Sequence, residues 1–83
     1  MMEFAKFLGI DTFPSEHSLD NLAPVIDKIK ASGYDLHVKG NYVSIWRNYP
    51  SRGYREIQFA TNADVTEAHY ECCLKFIRMM FPK

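Results

Sequence analysis

The chain has 83 residues and a mass of 9.7 kDa, and its ten basic and ten acidic residues leave a formal net charge of zero. At this size the folded surface should be about 5,100 Å² against about 14,000 Å² for the extended chain, enough burial for one modest core and no second domain. Apolar residues at 47% and charged residues at 24% exclude the disordered class, and the balanced charge excludes a strong pull toward nucleic acid or anionic lipid.

Taken in order, Met2 to Leu8 places Phe4, Phe7 and Leu8 on one face of a helix of at most two turns. Gly9 is its expected stop, and Ile10 is free to pack back against it. A loop follows, in which Pro14 biases Phe13 toward an extended conformation and Phe13 is expected to plug the core. Ser18 is a good N-cap for a helix from Leu19 to about Ser32, with apolar positions Leu19, Leu22, Val25, Ile26 and Ile29. Pro24 conflicts with that start, because it removes a helical hydrogen bond and crowds the carbonyl four residues back. Either Leu19 to Ala23 is a separate turn, or the helix begins near Ala23 with Asn21 or Asp20 as its cap. The second is preferred, with Leu19 and Leu22 still packed inside and Gly33 closing the helix.

Tyr34 to Lys39 and Tyr42 to Arg47 flank Gly40-Asn41, a hairpin turn with glycine available for its first central position. Closure there pairs Val38 with Val43, Leu36 with Ile45 and Tyr34 with Arg47 on an apolar face. The other face pairs Lys39 with Tyr42, His37 with Ser44 and Asp35 with Trp46. A turn through Pro50, Ser51, Arg52 and Gly53 then feeds a third strand, Tyr54 to Ala60. Setting Ile57 beside Ile45 and Phe59 beside Val43 continues the core face, and leaves Glu56, Gln58 and Ala60 on the outer one. Thr61 or Asp64 caps a final helix from Val65 to about Met80, with Asp64 and Glu67 at capping-box spacing, Glu71 and Lys75 paired four apart, and Pro82 as its stop. Its apolar stripe is wider than one sheet face needs. The expected fold is a single α+β domain over residues 1–83, with a three-stranded antiparallel sheet and helices on one face, in the order α-α-β-β-β-α.

The stretch from Val25 through Ile45 resembles the small toxin ribonucleases of toxin–antitoxin modules, which have a double-stranded-RNA-binding-like fold. Those carry their catalytic histidine in a Gly-Ser-His hairpin. The corresponding residues here are Lys39-Gly40-Asn41-Tyr42, without the histidine and without a basic surplus, so neither activity nor substrate carries over.

No phosphate-binding glycine loop, nucleophile elbow or paired zinc-ligand spacing is present in the sequence. His69, Cys72 and Cys73 are the nearest approach to a metal or nucleophile set, but all sit on one helix, and the expected role of both cysteines is that of small core hydrophobes. His37, Ser44 and Asp35 share an open sheet face with no pocket or oxyanion donors. No catalytic residue, metal or cofactor is therefore expected. Residues 1–10 carry Glu3 and Lys6 inside their apolar run, unlike a signal peptide, and no stretch is long enough to span a membrane, so a cytoplasmic protein with free thiols is expected.

The aromatic and basic residues of the hairpins suggest a binding surface instead: Lys39, Tyr42, Trp46, Tyr49, Arg52, Tyr54 and Arg55. The expected function is a non-catalytic protein–protein interaction domain, an inhibitor, adaptor or regulatory subunit, using the outer sheet face and the 47–55 loop. The wide stripe of the last helix also suggests a homodimer through that helix. The alternative is a small domain that binds RNA or single-stranded DNA by stacking bases on the same face. Asp35 and Glu56 beside Trp46 weigh against that alternative, because carboxylates repel phosphates.

Overall fold

The structure, a computed structural model, describes residues 2–81. Its elements are helices α1 (Met2–Leu8) and α2 (Leu19–Ala31), strands β1 (Tyr34–Lys39), β2 (Tyr42–Tyr49) and β3 (Gly53–Thr61), and helix α3 (Val65–Met80). The sheet is antiparallel in the order β1-β2-β3, and the helices lie on one of its faces, with α3 against β2 and β3 and α2 against β1. The α+β fold and its α-α-β-β-β-α order are thus as the sequence predicts.

Helix α1 is too short to hold itself and is fixed by burial. Phe4 is fully enclosed, with its ring 5.1 Å from Phe13 and 5.9 Å from Tyr70. Phe13 does plug the core, whereas Ile10 stays 46% exposed instead of packing back.

Helix α2 starts at Leu19, not near Ala23. The Ser18 hydroxyl caps it by accepting the Asn21 N–H at 3.1 Å, and Pro24 lies inside the helix. Pro24 is tolerated because Asp20, Ala23 and Pro24 all line the exposed side, where water can satisfy the carbonyl that the proline leaves without a donor. The earlier start turns Leu19 outward, 42% exposed, while Leu22, Val25 and Ile29 are fully buried. At the other end Gly33 takes a φ of 97°, left-handed backbone in which glycine carries no Cβ penalty, and the chain turns into β1 with Tyr34 buried.

The first hairpin has the expected register throughout, Tyr34 opposite Arg47 to Lys39 opposite Tyr42. Gly40 has a φ of 61° and Asn41 does not share that positive value, as a turn with glycine first requires.

The pairing of β2 with β3 departs from expectation. Trp46 does sit opposite Glu56, but Ile45 lies opposite Gln58, so Ile57 is the extra residue of a β-bulge. Beyond the bulge the strand's alternation is inverted. Phe59 lies opposite Ser44 and Ala60 opposite Val43, so Ala60 enters the core while Phe59 and not Ala60 joins the outer face. Gln58 likewise leaves the outer face. The cause is the close approach of α3, whose Cys72 Sγ lies 3.9 Å from the Gln58 carbonyl oxygen, with Ala68 and Cys72 fully buried. A slot walled by such small side chains admits alanine and excludes phenylalanine.

Helix α3 is capped by Asp64, whose carboxylate accepts the Thr66 N–H at 2.9 Å, and it ends at Met80. Pro82, the expected stop, lies outside the described residues. No capping box closes: Asn62 accepts the Asp64 N–H, and Glu67 instead holds His17 at 2.8 Å. Glu71 and Lys75 do not pair either, since Glu71 accepts from Asn62 and Lys75 donates to the Phe59 carbonyl. The wide apolar stripe of α3 is consumed within the chain, because the helix packs on α1 and α2 as well as on two strands. Only Met79, Met80 and Phe81 remain largely exposed at its end.

Tyr70 ties the loop before α2 to α3. Its buried hydroxyl accepts the Ser18 N–H at 2.9 Å and donates to the Ser18 carbonyl at 2.7 Å, while the His17 ring stacks on it at 4.1 Å. Tyr70→Phe leaves the Ser18 N–H without its partner in a partly buried site, while the Ser18 carbonyl keeps the Leu22 N–H at 3.1 Å, and should cost about 1–3 kcal/mol, measured by urea unfolding. A loss near zero would mean that water replaces the hydroxyl.

Candidate functional site

The face of the sheet opposite the helices carries Asp35, His37 and Lys39 from β1, Tyr42, Ser44 and Trp46 from β2, and Tyr54, Glu56 and Phe59 from β3. Strand alternation puts them there, and the bulge adds Phe59. Their rings form two groups. Trp46 stacks on Tyr54, centroids 5.2 Å apart and planes 15° from parallel, with His37 against both. Tyr42 stacks on Phe59 at 5.4 Å and 8°.

Each polar tip is tied within the face. The Trp46 indole N–H donates to Ser44 Oγ at 2.7 Å, and the Tyr42 hydroxyl donates to Glu56 Oε2 at 2.7 Å. The Tyr54 hydroxyl donates to Asp35 Oδ2 at 2.6 Å, which leaves it to accept from His37 Nε2 at 2.7 Å. Ser44 is only 3% exposed despite lying on a face that no helix covers, because the rings roof it. Trp46 is itself half-buried by its neighbours on the face rather than by the N-terminal segment or the second turn.

These bonds hold the phenols protonated. The hydrogen bond to Asp35, with burial and the carboxylate's charge behind it, lifts the pKa of Tyr54 from 10.0 to about 12. Glu56 raises that of Tyr42 in the same way, again chiefly through the hydrogen bond. Because folded Tyr54 holds its proton more tightly than a free phenol, its contribution to stability is complete below pH 10.0 and is lost as the pH rises toward about 12. Titration of tyrosine absorbance should therefore show a late phenol that Asp35→Asn moves back toward 10.0. A titration indifferent to Asp35→Asn would contradict the bond.

Of the residues singled out in the sequence, Tyr42, Trp46 and Tyr54 come together on this face, with Lys39 exposed at its rim beside Tyr42. Tyr49 and Arg55 do not join them. Alternation puts both on the helix side, where the Arg47 guanidinium lies over Tyr34 at 5.0 Å and Tyr49 at 5.6 Å and donates to the Tyr34 hydroxyl. Arg52 is exposed in the second turn, its N–H donating to the Tyr49 carbonyl at 3.1 Å. The 47–55 loop is thus divided between the two faces. Phe59, which sequence reasoning assigned to the core, belongs to the site, and the run of small residues Ala60, Ala68 and Cys72 was the available signal.

The chain has no match among family models, characterised proteins or solved structures.

The reactive side chains lie elsewhere. Cys72 and Cys73 are buried and unbridged, and burial pushes the Cys72 thiol up to about 12 and raises Cys73 further. Such thiols stay protonated and poorly nucleophilic. His69 is 6% exposed and bonded through Nδ1 to the Val65 carbonyl. Among the described residues, no group of three His, Cys, Asp or Glu side chains could hold a metal ion. A cavity of about 830 Å³ opens on the helical side between Phe7, Lys28, Arg78 and Phe81, and no histidine or cysteine lines it. No helix among the described residues is long and apolar enough to cross a membrane.

Proposed function

We propose that this chain is a non-catalytic protein–protein interaction domain, a small inhibitor, adaptor or regulatory subunit, whose partner seats on the open sheet face around Trp46, Tyr42 and Tyr54. One observation carries the reading: a face without helical cover holds paired aromatic rings whose polar tips are already bonded in place. Tyrosine and tryptophan supply large amphipathic contact area, and rings that are already ordered lose little further freedom on binding. Buried, unbridged thiols fit a reducing compartment, which supports a cytoplasmic location.

The test uses the intact chain as bait in extract of its native cell, beside Trp46→Ala and a control, Lys30→Ala, on the exposed side of α2. The captured protein is then purified and its affinity measured directly. The reading expects a partner that binds wild type and Lys30→Ala alike and loses at least tenfold in affinity on Trp46→Ala. Equal binding by Trp46→Ala would overturn it. Quenching of Trp46 by oligonucleotides at low salt would replace it with the base-stacking alternative.

A further inference from the structure

We propose that two copies of this chain pair edge to edge through β1, in antiparallel register about His37, to form one continuous six-stranded sheet. The two sheet edges differ. Along β3, Lys75 donates to the Phe59 carbonyl and Cys72 Sγ approaches the Gln58 carbonyl, so α3 occupies that edge. Along β1, among the described residues, no hydrogen bond from outside the sheet reaches the backbone of Leu36 or Val38.

The backbone groups that β1 offers follow from the hairpin. A two-residue turn makes Lys39 and Tyr42 a hydrogen-bonded pair, and alternation gives His37 with Ser44 and Asp35 with Trp46 the same status. The N–H and C=O groups of Leu36 and Val38 therefore point away from β2. An antiparallel second β1 can use them only if Leu36 meets the partner's Val38, and the reverse, or if one of these residues meets itself.

Charge decides between those registers. With Leu36 opposite the partner's Val38, His37 faces the partner's His37, and Asp35 faces the partner's Lys39 at both ends of the contact. On the helix side Leu36 then covers Val38, which is 48% exposed in the single chain. Centring on Val38 would instead oppose His37 to Lys39, and centring on Leu36 would leave Lys39 beyond the reach of Asp35. Only the first register satisfies the opposite charges and the apolar pair together. It also sets two copies of the Trp46 face side by side on one surface, and it stands whether or not that face binds another protein.

Sedimentation equilibrium of the full chain should show mass rising from one chain toward two over about 10 µM to 1 mM, as a small contact area implies. Asp35→Lys and Lys39→Asp should each stay monomeric, because each sets like charges opposite one another. An equimolar mixture of the two variants should regain the dimer, since one strand then carries only positive and the other only negative charge. As a check that does not depend on charge, His37→Cys should oxidise to a covalent dimer, because cross-strand neighbours at a non-hydrogen-bonded pair lie within disulfide reach. Lys39→Cys should not, its copies standing about 13 Å apart. A wild type that stays monomeric throughout, self-association indifferent to both charge variants, a mixture that fails to pair, or cross-linking at 39 in preference to 37 would each overturn the proposal.

Discussion

Phe4→Ala should lower the stability of the domain by about 3–5 kcal/mol, the largest single effect expected in this fold. Phe4 is fully buried and makes ring contacts with Phe13 and Tyr70, so its removal opens a void between three separate pieces of chain. A helix of 7 residues has no stability of its own, so the void cannot be offset by α1 holding its place. Domains of this length have roughly 4–12 kcal/mol in total, so the variant should sit near its unfolding threshold at physiological temperature. The ion pair between Arg78 and Glu3, 2.8 Å but largely exposed, adds too little to rescue it. Equilibrium urea unfolding measures the effect, and a loss below about 1 kcal/mol would mean that α1 is not part of the core.

Trp46→Ala should have the opposite profile, with a small cost to the fold and a large one to function. The indole is half-buried, stacked on one side by Tyr54 and bonded to Ser44. Losing that stack should cost about 0.5–1.5 kcal/mol beyond the area exposed, and water can enter to satisfy the Ser44 hydroxyl. Partner affinity, measured by calorimetry on the purified pair, should fall by about 2–4 kcal/mol if Trp46 is the central anchor of the contact. If the variant is strongly destabilised while its folded fraction binds the partner as wild type does, the residue serves the core rather than a partner.

Local chemistry made most of the architecture readable. Gly40-Asn41 has one good closure, and that closure specifies every pair between β1 and β2. Gly33, Asp64 and the spacing of Val25, Ile29, Phe76 and Ile77 set helix ends and buried faces in the same local way. The failures are tertiary. Whether Pro24 ends a helix depends on whether its side of the helix faces water, which the local sequence does not state. The bulge at Ile57 depends on how closely α3 approaches β3, a property of residues 68 and 72 that no alternation within the strand records. For the same reason the site was half legible: alternation grouped Tyr42 with Trp46 but placed Phe59 in the core, and Tyr54 stood out only as part of the 47–55 loop, together with Tyr49 and Arg55, which lie on the other side of the sheet.

The central claim is that the aromatic side of the sheet is the one the helices leave open. Nuclear Overhauser contacts from the Trp46 indole in the isolated chain test it most directly. The account predicts contacts to Tyr54 and His37, contacts between Tyr42 and Phe59, and contacts from Val43 and Ile45 to side chains of α3. Contacts from Trp46 or Tyr42 to core side chains of α2 or α3, with Leu36 and Ile45 lacking them, would contradict it.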